Sequence, residues 1–166
     1  SAGCQAAPGC GYAKFWINDV QISAPNGRGL NVVVVDPSTF AVVETRRFDT
    51  YRWGWAAKAF YEFLAATAEE RPNFTVLVAV KDEAQHRAGW GGSQNVYAAM
   101  RKFLGAAGYA YPGPRCFRCS YALVARIDKS GGDLLISREA SDRRTIVTAN
   151  WMHEVCAPPP SPPPPS

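Results

Sequence analysis

The four consecutive valines at 32–35, between Leu30 and Asp36, have no polar face. Such a run predicts a strand that is buried on both sides, which only a covered central strand of a sheet can be. The following stretch, 40–51, alternates apolar residues with threonine and charges, as expected of a neighbouring strand closer to solvent. The sequence Asp36-Pro37-Ser38 between them is typical of a turn, so the two stretches predict a hairpin.

The chain before and after this hairpin carries three further clear patterns. Alternation across 13–22 predicts a strand with a bulge at Asn18-Asp19. Apolar residues at helical spacing over 56–70 predict an amphipathic helix that ends before Pro72. Residues 75–80 form a second run without a polar face and predict another strand covered on both sides.

The second half of the chain predicts one more helix and three short strands. Ser93 is a suitable N-cap for the helix, and Gly105 marks its end. Strands are expected at 120–127, 133–137 and 145–148. Because the strands are joined by links of hairpin length, we expect an α+β fold: a compact β-sandwich of mainly antiparallel sheets flanked by two helices, with a C-terminal polyproline II tail.

The 166 residues suffice for one domain, and a hydrophobic content of 47% can fill its core. We predict a Cys- and Gly-rich loop at 1–12, a globular domain at 13–156 and a polyproline II stalk or linker at 157–166. Basic residues are scattered among carboxylates in a chain of net charge +4, which argues against a nucleic-acid partner. No run of about 18 apolar residues occurs, so no membrane insertion is expected.

Five cysteines lie in three places: Cys4 and Cys10 near the start, Cys116 and Cys119 together, and Cys156 near the end. This distribution favours disulfides formed in an oxidising compartment, with Cys10–Cys156 and Cys116–Cys119 as the expected pairs. Cys4 is left over, so it either bonds to another chain or replaces Cys10 as the partner of Cys156. The start at Ser1 fits removal of a signal peptide, or a trimmed chain.

Two further features agree with export. Asn73-Phe74-Thr75 is an N-glycosylation sequon just after Pro72, where a surface loop is expected. The proline-rich tail predicts a polyproline II rod, with hydroxylation and O-glycosylation as predictions and an unmodified rigid linker as the alternative. The tail residues concerned are Pro158, Pro159, Pro160, Ser161, Pro162, Pro163, Pro164, Pro165 and Ser166.

Five segments in order resemble the interleukin-like EMT inducer (ILEI) domain, namely 28–35, 48–51, 78–84, 103–105 and 121–126. This domain makes up the small secreted factors of the ILEI and PANDER group, and a similar one forms the stem of protein O-mannose β-1,2-N-acetylglucosaminyltransferase. The tail resembles extensin-like, hydroxyproline-rich stalks of plant and green-algal proteins. The resemblance implies an extracellular or lumenal domain without catalytic activity and without a cofactor.

The resemblance also implies a site for a β-linked N-acetylglucosamine. The matching positions are Arg28, Asp82 and Arg118, although here two cysteines flank Arg118 where the family has a Gly-aromatic-Arg-Asp run. Each of the three lies where a strand meets a loop, and guanidinium donors with a carboxylate acceptor suit the polar edge of a sugar. Trp90 or Trp53 could supply an apolar face for the ring. The alternative is that Asp82 merely forms a surface ion pair.

Other groups of reactive residues give weaker signals. Asp82, Glu83 and His86 could be assembled into a metal or acid-base site, but the chain has only one other histidine and no metal-binding spacing, which favours a surface histidine beside carboxylates. No catalytic or metal residues are therefore predicted. The two cysteines at 116 and 119 have redox spacing without a thioredoxin-like setting, which favours a structural disulfide.

These observations lead to one main hypothesis and two alternatives. The main hypothesis is a non-catalytic extracellular module that binds glycans or glycoproteins within a cell-surface, wall or fibre glycoprotein. The first alternative is a structural building block that makes protein–protein contacts and has a vestigial sugar site. The second is a secreted signalling factor.

Overall fold

The computed structural model describes residues 12–82, 84, 86–106 and 120–140. A five-stranded sheet has the strand order β4-β3-β5-β6-β7, with every neighbouring pair antiparallel, and a second sheet consists of β1 and β2. The predicted α+β class, with mainly antiparallel sheets and two helices, is confirmed. The elements in chain order are β1 (Trp16–Ile17), β2 (Val20–Gln21), β3 (Gly29–Val35), β4 (Val42–Phe48), α1 (Trp55–Glu70), β5 (Thr75–Lys81), α2 (Val96–Leu104), β6 (Ser120–Arg126) and β7 (Asp133–Ala140).

The central strand β3 is buried along its whole length, as the run of valines predicts. Val32 and Val34 face one side of the sheet and pack in a core that includes Phe60 of α1 and Phe103 of α2. Both helices therefore cover the same face of the sheet. The other face has a smaller core, in which Val33 and the remaining apolar residues pack beneath the N-terminal segment; its buried members are Ala13, Phe15, Val33, Val35, Ala79 and Ala122.

The segment 13–22 differs from its prediction. It forms a hairpin in which Ile17 pairs with Val20, rather than one strand with a bulge. Asn18 and Asp19 both have positive φ, 50° and 61°, as a two-residue type I′ turn requires. Asn and Asp are the non-glycine residues that best tolerate this conformation. The chain therefore reverses direction at Asn18-Asp19, in the middle of the predicted strand.

The turn between β3 and β4 is longer than Asp36-Pro37-Ser38. The carboxylate of Asp36 accepts hydrogen bonds from the backbone N–H of Ser38, at 2.8 Å, and from its hydroxyl group, at 2.6 Å. Phe40 has a φ of 60°, which ends the turn, and the strand begins only at Val42. The predicted hairpin is thus correct and its second strand starts two residues later.

The second helix begins at a different cap from the one expected. Asn95, not Ser93, is the N-cap, and its side-chain oxygen accepts from the N–H of Ala98 at 2.9 Å. Its amide nitrogen donates to the carbonyl of Gly92 at 2.6 Å, so one side chain satisfies both the helix and the preceding loop. Gly105 ends the helix in the left-handed conformation, as predicted.

Several expectations lie outside the described residues. These are the strand at 145–148, the pairs Cys10–Cys156 and Cys116–Cys119, and the residues Cys4 and Arg118, together with the loop at 1–11 and the tail at 157–166. The division of the chain at residues 12 and 156 stays a prediction for the same reason.

A glycine begins β3 because the backbone at the end of β4 approaches it closely. Gly29 has a φ of +99°, and a Cβ at this position would overlap the backbone carbonyl of Phe48 on β4. Gly92 has a φ of +61° with no atom near such a Cβ. A side chain at Gly92 would meet backbone strain alone, whereas one at Gly29 would meet both strain and steric overlap.

We expect Gly29→Ala to lower the free energy of unfolding by about 3 kcal/mol or more, and Gly92→Ala by about 1 kcal/mol, because only the first adds an overlap to the strain. Urea denaturation of both variants measures the difference. Equal losses would contradict the close approach of the backbones at Gly29.

Candidate functional site

The start of β3 and the ends of β4 and β5 lie side by side and bring charged residues to one end of the sheet. Gly29 pairs with Lys81 and Leu30 pairs with Phe48, so the residues just beyond these pairs emerge together. They are Arg28, Asp49 and Asp82. We call this end of the sheet the rim; it comprises Arg28, the segment 49–54 and the described residues of the segment 82–95.

Arg28 is held in place by Asp49. The guanidinium group donates from Nε to Oδ1 at 3.1 Å and from Nη2 to Oδ2 at 3.0 Å, a two-point contact that fixes its plane. Asp49 is nearly buried, with 7% of its side chain exposed, while 33% of the Arg28 side chain is exposed. The backbone N–H of Arg52 also donates to Asp49, at 3.0 Å. The buried carboxylate thus has several donors and directs Arg28 outward.

Aromatic rings support the same guanidinium group. Arg28 lies 4.5 Å from the ring centroid of Tyr51, and that ring lies 5.2 Å from the ring of His86. The hydrogen bond to Asp49 raises the pKa of Arg28 against the lowering effect of burial, and the charges of Asp49 and Asp82 raise it further. Asp82 directly follows β5 and has a φ of 61°. Arg28 and Asp82 are therefore close enough for the charge of Asp82 to act on Arg28.

Backbone hydrogen bonds join the two segments of the rim. The N–H of Arg87 donates to the carbonyl of Thr50 at 3.0 Å, and Nη1 of Arg87 donates to the carbonyl of Arg52 at 2.7 Å. The buried hydroxyl of Thr50 donates to the carbonyl of Ala84. These bonds fix the position of one segment against the other, so the side chains they carry have a defined spacing.

Three tryptophans lie around Gly54, next to the segment 49–54 that contacts the Arg28 side chain through Asp49 and Tyr51. Trp53 and Trp55 stack with ring centroids 6.4 Å apart and an interplanar angle of 27°. The ring of Trp90 rests on Gly54, where a Cβ would overlap it. The side chains remain exposed, at 43% for Trp53, 66% for Trp55 and 55% for Trp90. We call Trp53, Trp55 and Trp90 the tryptophan cluster.

The structure thus places most of the expected binding residues at one end. Arg28 and Asp82 lie together, and Trp90 and Trp53 lie in the adjoining tryptophan cluster. Asn73 lies at the far end of β5, in the loop after α1, where it is exposed and has a φ of 67°. It is joined to the β6 end of the sheet, because its N–H donates to the carbonyl of Ile127 at 2.7 Å.

Sequence reasoning missed Asp49, Tyr51 and Arg87. The signal for Asp49 was present, because it directly follows the strand that pairs with β3, but only the register places it beside Arg28. Tyr51 and Arg87 are recognised only through their contacts, since nothing in their local sequence separates them from other surface residues.

Within residues 12–82, 84, 86–106 and 120–140, no three His, Cys, Asp or Glu side chains are grouped so that they could hold a metal ion. Glu83, which the sequence placed beside Asp82 and His86, lies outside this set. No helix in the same part of the chain is long and apolar enough to cross a membrane.

The fold and the rim define a small antiparallel α+β module with charged and aromatic side chains collected at one end of its sheet. Residues 28–129 match the family model of the interleukin-like EMT inducer, ILEI, and this range covers more than half of the 166 residues. The chain therefore belongs to the ILEI family, whose domains are extracellular modules of a generally non-catalytic type. A comparison with curated proteins found no match.

The Arg28–Asp49 pair is expected to make the stability of the fold depend on pH in acid. Burial raises the pKa of Asp49, but the hydrogen bonds from Arg28 and from the N–H of Arg52 outweigh it, so the pKa lies below its ordinary value of 3.8. A lowered folded-state pKa stabilises the fold above the unfolded value, and this contribution is lost as the pH falls from about 4 through the folded-state pKa.

We expect Asp49→Asn to be less stable than the wild type by about 1–3 kcal/mol at pH 7, because a charge-assisted hydrogen bond is lost. The difference should shrink as the pH falls from about 4 through the folded-state pKa, because the carboxylate is protonated first in the unfolded state and then in the folded state. Urea denaturation of both proteins between neutral and strongly acidic pH measures it. A difference that stays constant over that range would show that the charge of Asp49 does not matter.

Proposed function

We propose that this ILEI-family protein is an extracellular glycan-binding module, and that the rim recognises the polar edge of a sugar residue. The observation that carries the proposal is the guanidinium group of Arg28, which Asp49 fixes in plane and Tyr51 supports from one face, beside the carboxylate of Asp82. Binding residues commonly lie on loops that a rigid sheet positions, and this arrangement has that form.

The chemistry of the pair suits a sugar. Arg28 uses Nε and Nη2 for Asp49, and among the residues that the structure describes Nη1 donates to none. Its N–H groups can donate to a carbonyl or hydroxyl oxygen, while the carboxylate of Asp82 supplies acceptors for hydroxyl groups. Because Asp49 balances the charge of Arg28, the pair favours an uncharged ligand such as the β-linked N-acetylglucosamine that the family resemblance implies.

The ring of the sugar needs an apolar surface as well. Tyr51 is 37% exposed beside Arg28, and the neighbouring Trp90 is 55% exposed. Sugar rings pack their C–H faces on such aromatic side chains, and buried apolar area contributes about 25 cal/mol per Å². Arg118 would complete the set from the segment beyond α2. The proposal thus assigns hydrogen bonding to Arg28, Asp82 and Arg118, and packing to the rings.

We predict that Asp82→Asn and Arg28→Lys each weaken binding of a β-linked N-acetylglucosamine glycoside about tenfold or more, since a charged acceptor or a forked donor is lost. Calorimetric titration measures the affinity, and urea denaturation verifies folding. Asn tolerates the positive φ of Asp82, and Lys keeps a cation near Asp49. Asp133→Asn is the matched control, because this exposed residue lies at the opposite end of the sheet. Unchanged affinity in both rim variants would reject the site.

A structural building block is the second candidate, and the exposed tryptophan cluster is the observation that favours it. Large exposed aromatic side chains are enriched at protein interfaces. In this role the cluster would contact another protein, Cys4 would bond to a neighbouring chain, and the sugar site would be vestigial. Self-association that depends on Trp55, in a protein that binds no sugar on a glycan array, would support this role against the first.

The proposal of an extracellular role includes modification at two places. Asn73 is the proposed N-glycosylation site, and its glycan would leave the rim open, because the seven residues of β5 separate it from Asp82 by about 20 Å. The stalk at 158–166 is the proposed site of proline hydroxylation and O-glycosylation in a surface, wall or fibre glycoprotein. Cys10–Cys156 and Cys116–Cys119 are the proposed disulfides.

Mass spectrometry of the natively secreted protein tests these modifications. We expect a glycan on Asn73 that Asn73→Gln removes, with no loss of sugar binding at the rim. An unmodified Asn73 in secreted material would remove this part of the proposal.

A further inference from the structure

Two arginines lie on the faces of the tryptophan cluster. The guanidinium carbon of Arg52 is 4.8 Å from the ring centroid of Trp53, and that of Arg87 is 4.7 Å from the ring centroid of Trp90. Both contacts have the geometry of a cation–π interaction. The cluster around Gly54 is therefore a surface of indole rings with a cation on each side.

These two cations differ from the basic residues next to them. Arg28 forms an ion pair with Asp49, and Lys58 lies 3.4 Å from Glu62 on the same helix. Neither Arg52 nor Arg87 forms an ion pair with any residue in the described part of the chain. The Nε of Arg87 is buried and has no hydrogen-bond acceptor there either.

The start of α1 adds to the positive potential. The helix begins at Trp55, inside the cluster, and has no acidic residue in its first turn. The N-terminal end of a helix carries a partial positive charge, which here is not offset by a side chain of the same turn. Among the residues that the structure describes, two guanidinium groups and the helix end thus contribute positive charge to this surface.

We propose that the tryptophan cluster with Arg52 and Arg87 is a second sugar subsite, and that it takes a carboxylate-bearing sugar residue of the glycan that binds at Arg28 and Asp82. The inference rests on the proposed function. It names the class of ligand: a glycan in which a uronic acid adjoins a neutral residue.

Two contacts place both subsites on one surface. Arg52 directly follows Tyr51, which supports Arg28, and Arg87 is bonded to the backbone of both Thr50 and Arg52. The guanidinium edge of Arg52 can donate to a carboxylate while its face stays on the ring of Trp53. Arg87 uses Nη1 for the carbonyl of Arg52 and its Nε is buried, so Nη2 is the group that can donate to the ligand. A neutral proline-rich peptide would use the indole rings but would leave both cations unpaired. Charge complementarity therefore favours the acidic glycan.

The test compares two probes of equal size. One is a tetrasaccharide of alternating glucuronate and N-acetylglucosamine, and the other is the same tetrasaccharide with each carboxylate reduced to a hydroxyl group. We expect the acidic form to bind about tenfold more tightly at low salt, since charge-assisted hydrogen bonds are lost on reduction. Added salt should reduce this advantage.

Variants assign the preference to the two arginines. The double variant Arg52→Gln/Arg87→Gln should bind the two tetrasaccharides equally, and the readout is the ratio of the two affinities within each protein, because the Arg87 side chain also donates to the carbonyl of Arg52. The control, Arg101→Gln/Lys102→Gln, removes the same charge near the end of α2, where the helix contacts the β6–β7 turn through Gly105, and should keep the preference.

Other outcomes overturn the inference. Equal binding of both tetrasaccharides by the wild type, with loss of both in Asp82→Asn, would leave the proposed function standing and reject the second subsite. A preference for the acidic form that survives in Arg52→Gln/Arg87→Gln would also reject it. Binding of neither tetrasaccharide would reject both proposals, and binding of the peptide Pro-Pro-Pro-Ser-Pro-Pro-Pro-Pro-Ser at the cluster would replace the glycan with a protein ligand.

Discussion

The burial of β3 on both faces is the constraint on which the rest of the structure depends. Its valines expose no polar surface, so they require a layer on each side of the sheet as well as a strand on each edge. The two helices supply one layer, and the N-terminal segment supplies the other. The register of β4 on β3 is specified by Phe48, because a shift of one residue would turn this side chain away from the main core.

That register is also what builds the rim. Arg28 precedes β3, Asp49 follows β4 and Asp82 follows β5, and no two of these residues are close in sequence. The antiparallel pairings bring all three to one end of the sheet. Site geometry and core packing are therefore set by the same hydrogen bonds.

The sequence predicts features that local pattern determines and misses those that depend on contacts between distant segments. The strands around Val33 and Val78 and the helix around Phe60 follow from apolar spacing alone. The turn at Asn18-Asp19 was missed because the break in alternation there fits a bulge as well as a hairpin, and only the pairing of Ile17 with Val20 distinguishes them.

The candidate site shows the same division. Arg28 and Asp82 could be selected because each borders a strand without a polar face, and the family resemblance points to the same positions. Asp49 could not, because an acidic residue after an edge strand is common and its role depends on the register. The grouping of the tryptophans depends on Trp90 reaching Gly54 from another loop, and no local pattern contains that contact.

The arginines of the rim fall into two kinds, and the difference affects which ligands the rim can bind. Arg28 is compensated by a carboxylate that is almost buried, so its position is fixed and its net field is small. Arg52 and Arg87 lie on indole rings, which contribute about 0.5–2 kcal/mol each without neutralising the cation, and Arg87 also donates to the backbone carbonyl of Arg52. A guanidinium group on a ring keeps its edge available for an anion, whereas one in a two-point ion pair has already used two donors.

The exposed rings and the fixed backbone around them belong to the same argument. Leaving three tryptophans partly in water forgoes burial that would otherwise stabilise the fold. The bonds from Arg87 to Thr50 and Arg52 nevertheless hold these rings at set positions, so little further ordering is needed when a ligand arrives. A surface that is apolar, cationic and already ordered binds with a smaller loss of entropy than a flexible loop would. That combination is what a ring-shaped ligand with a negative edge would require.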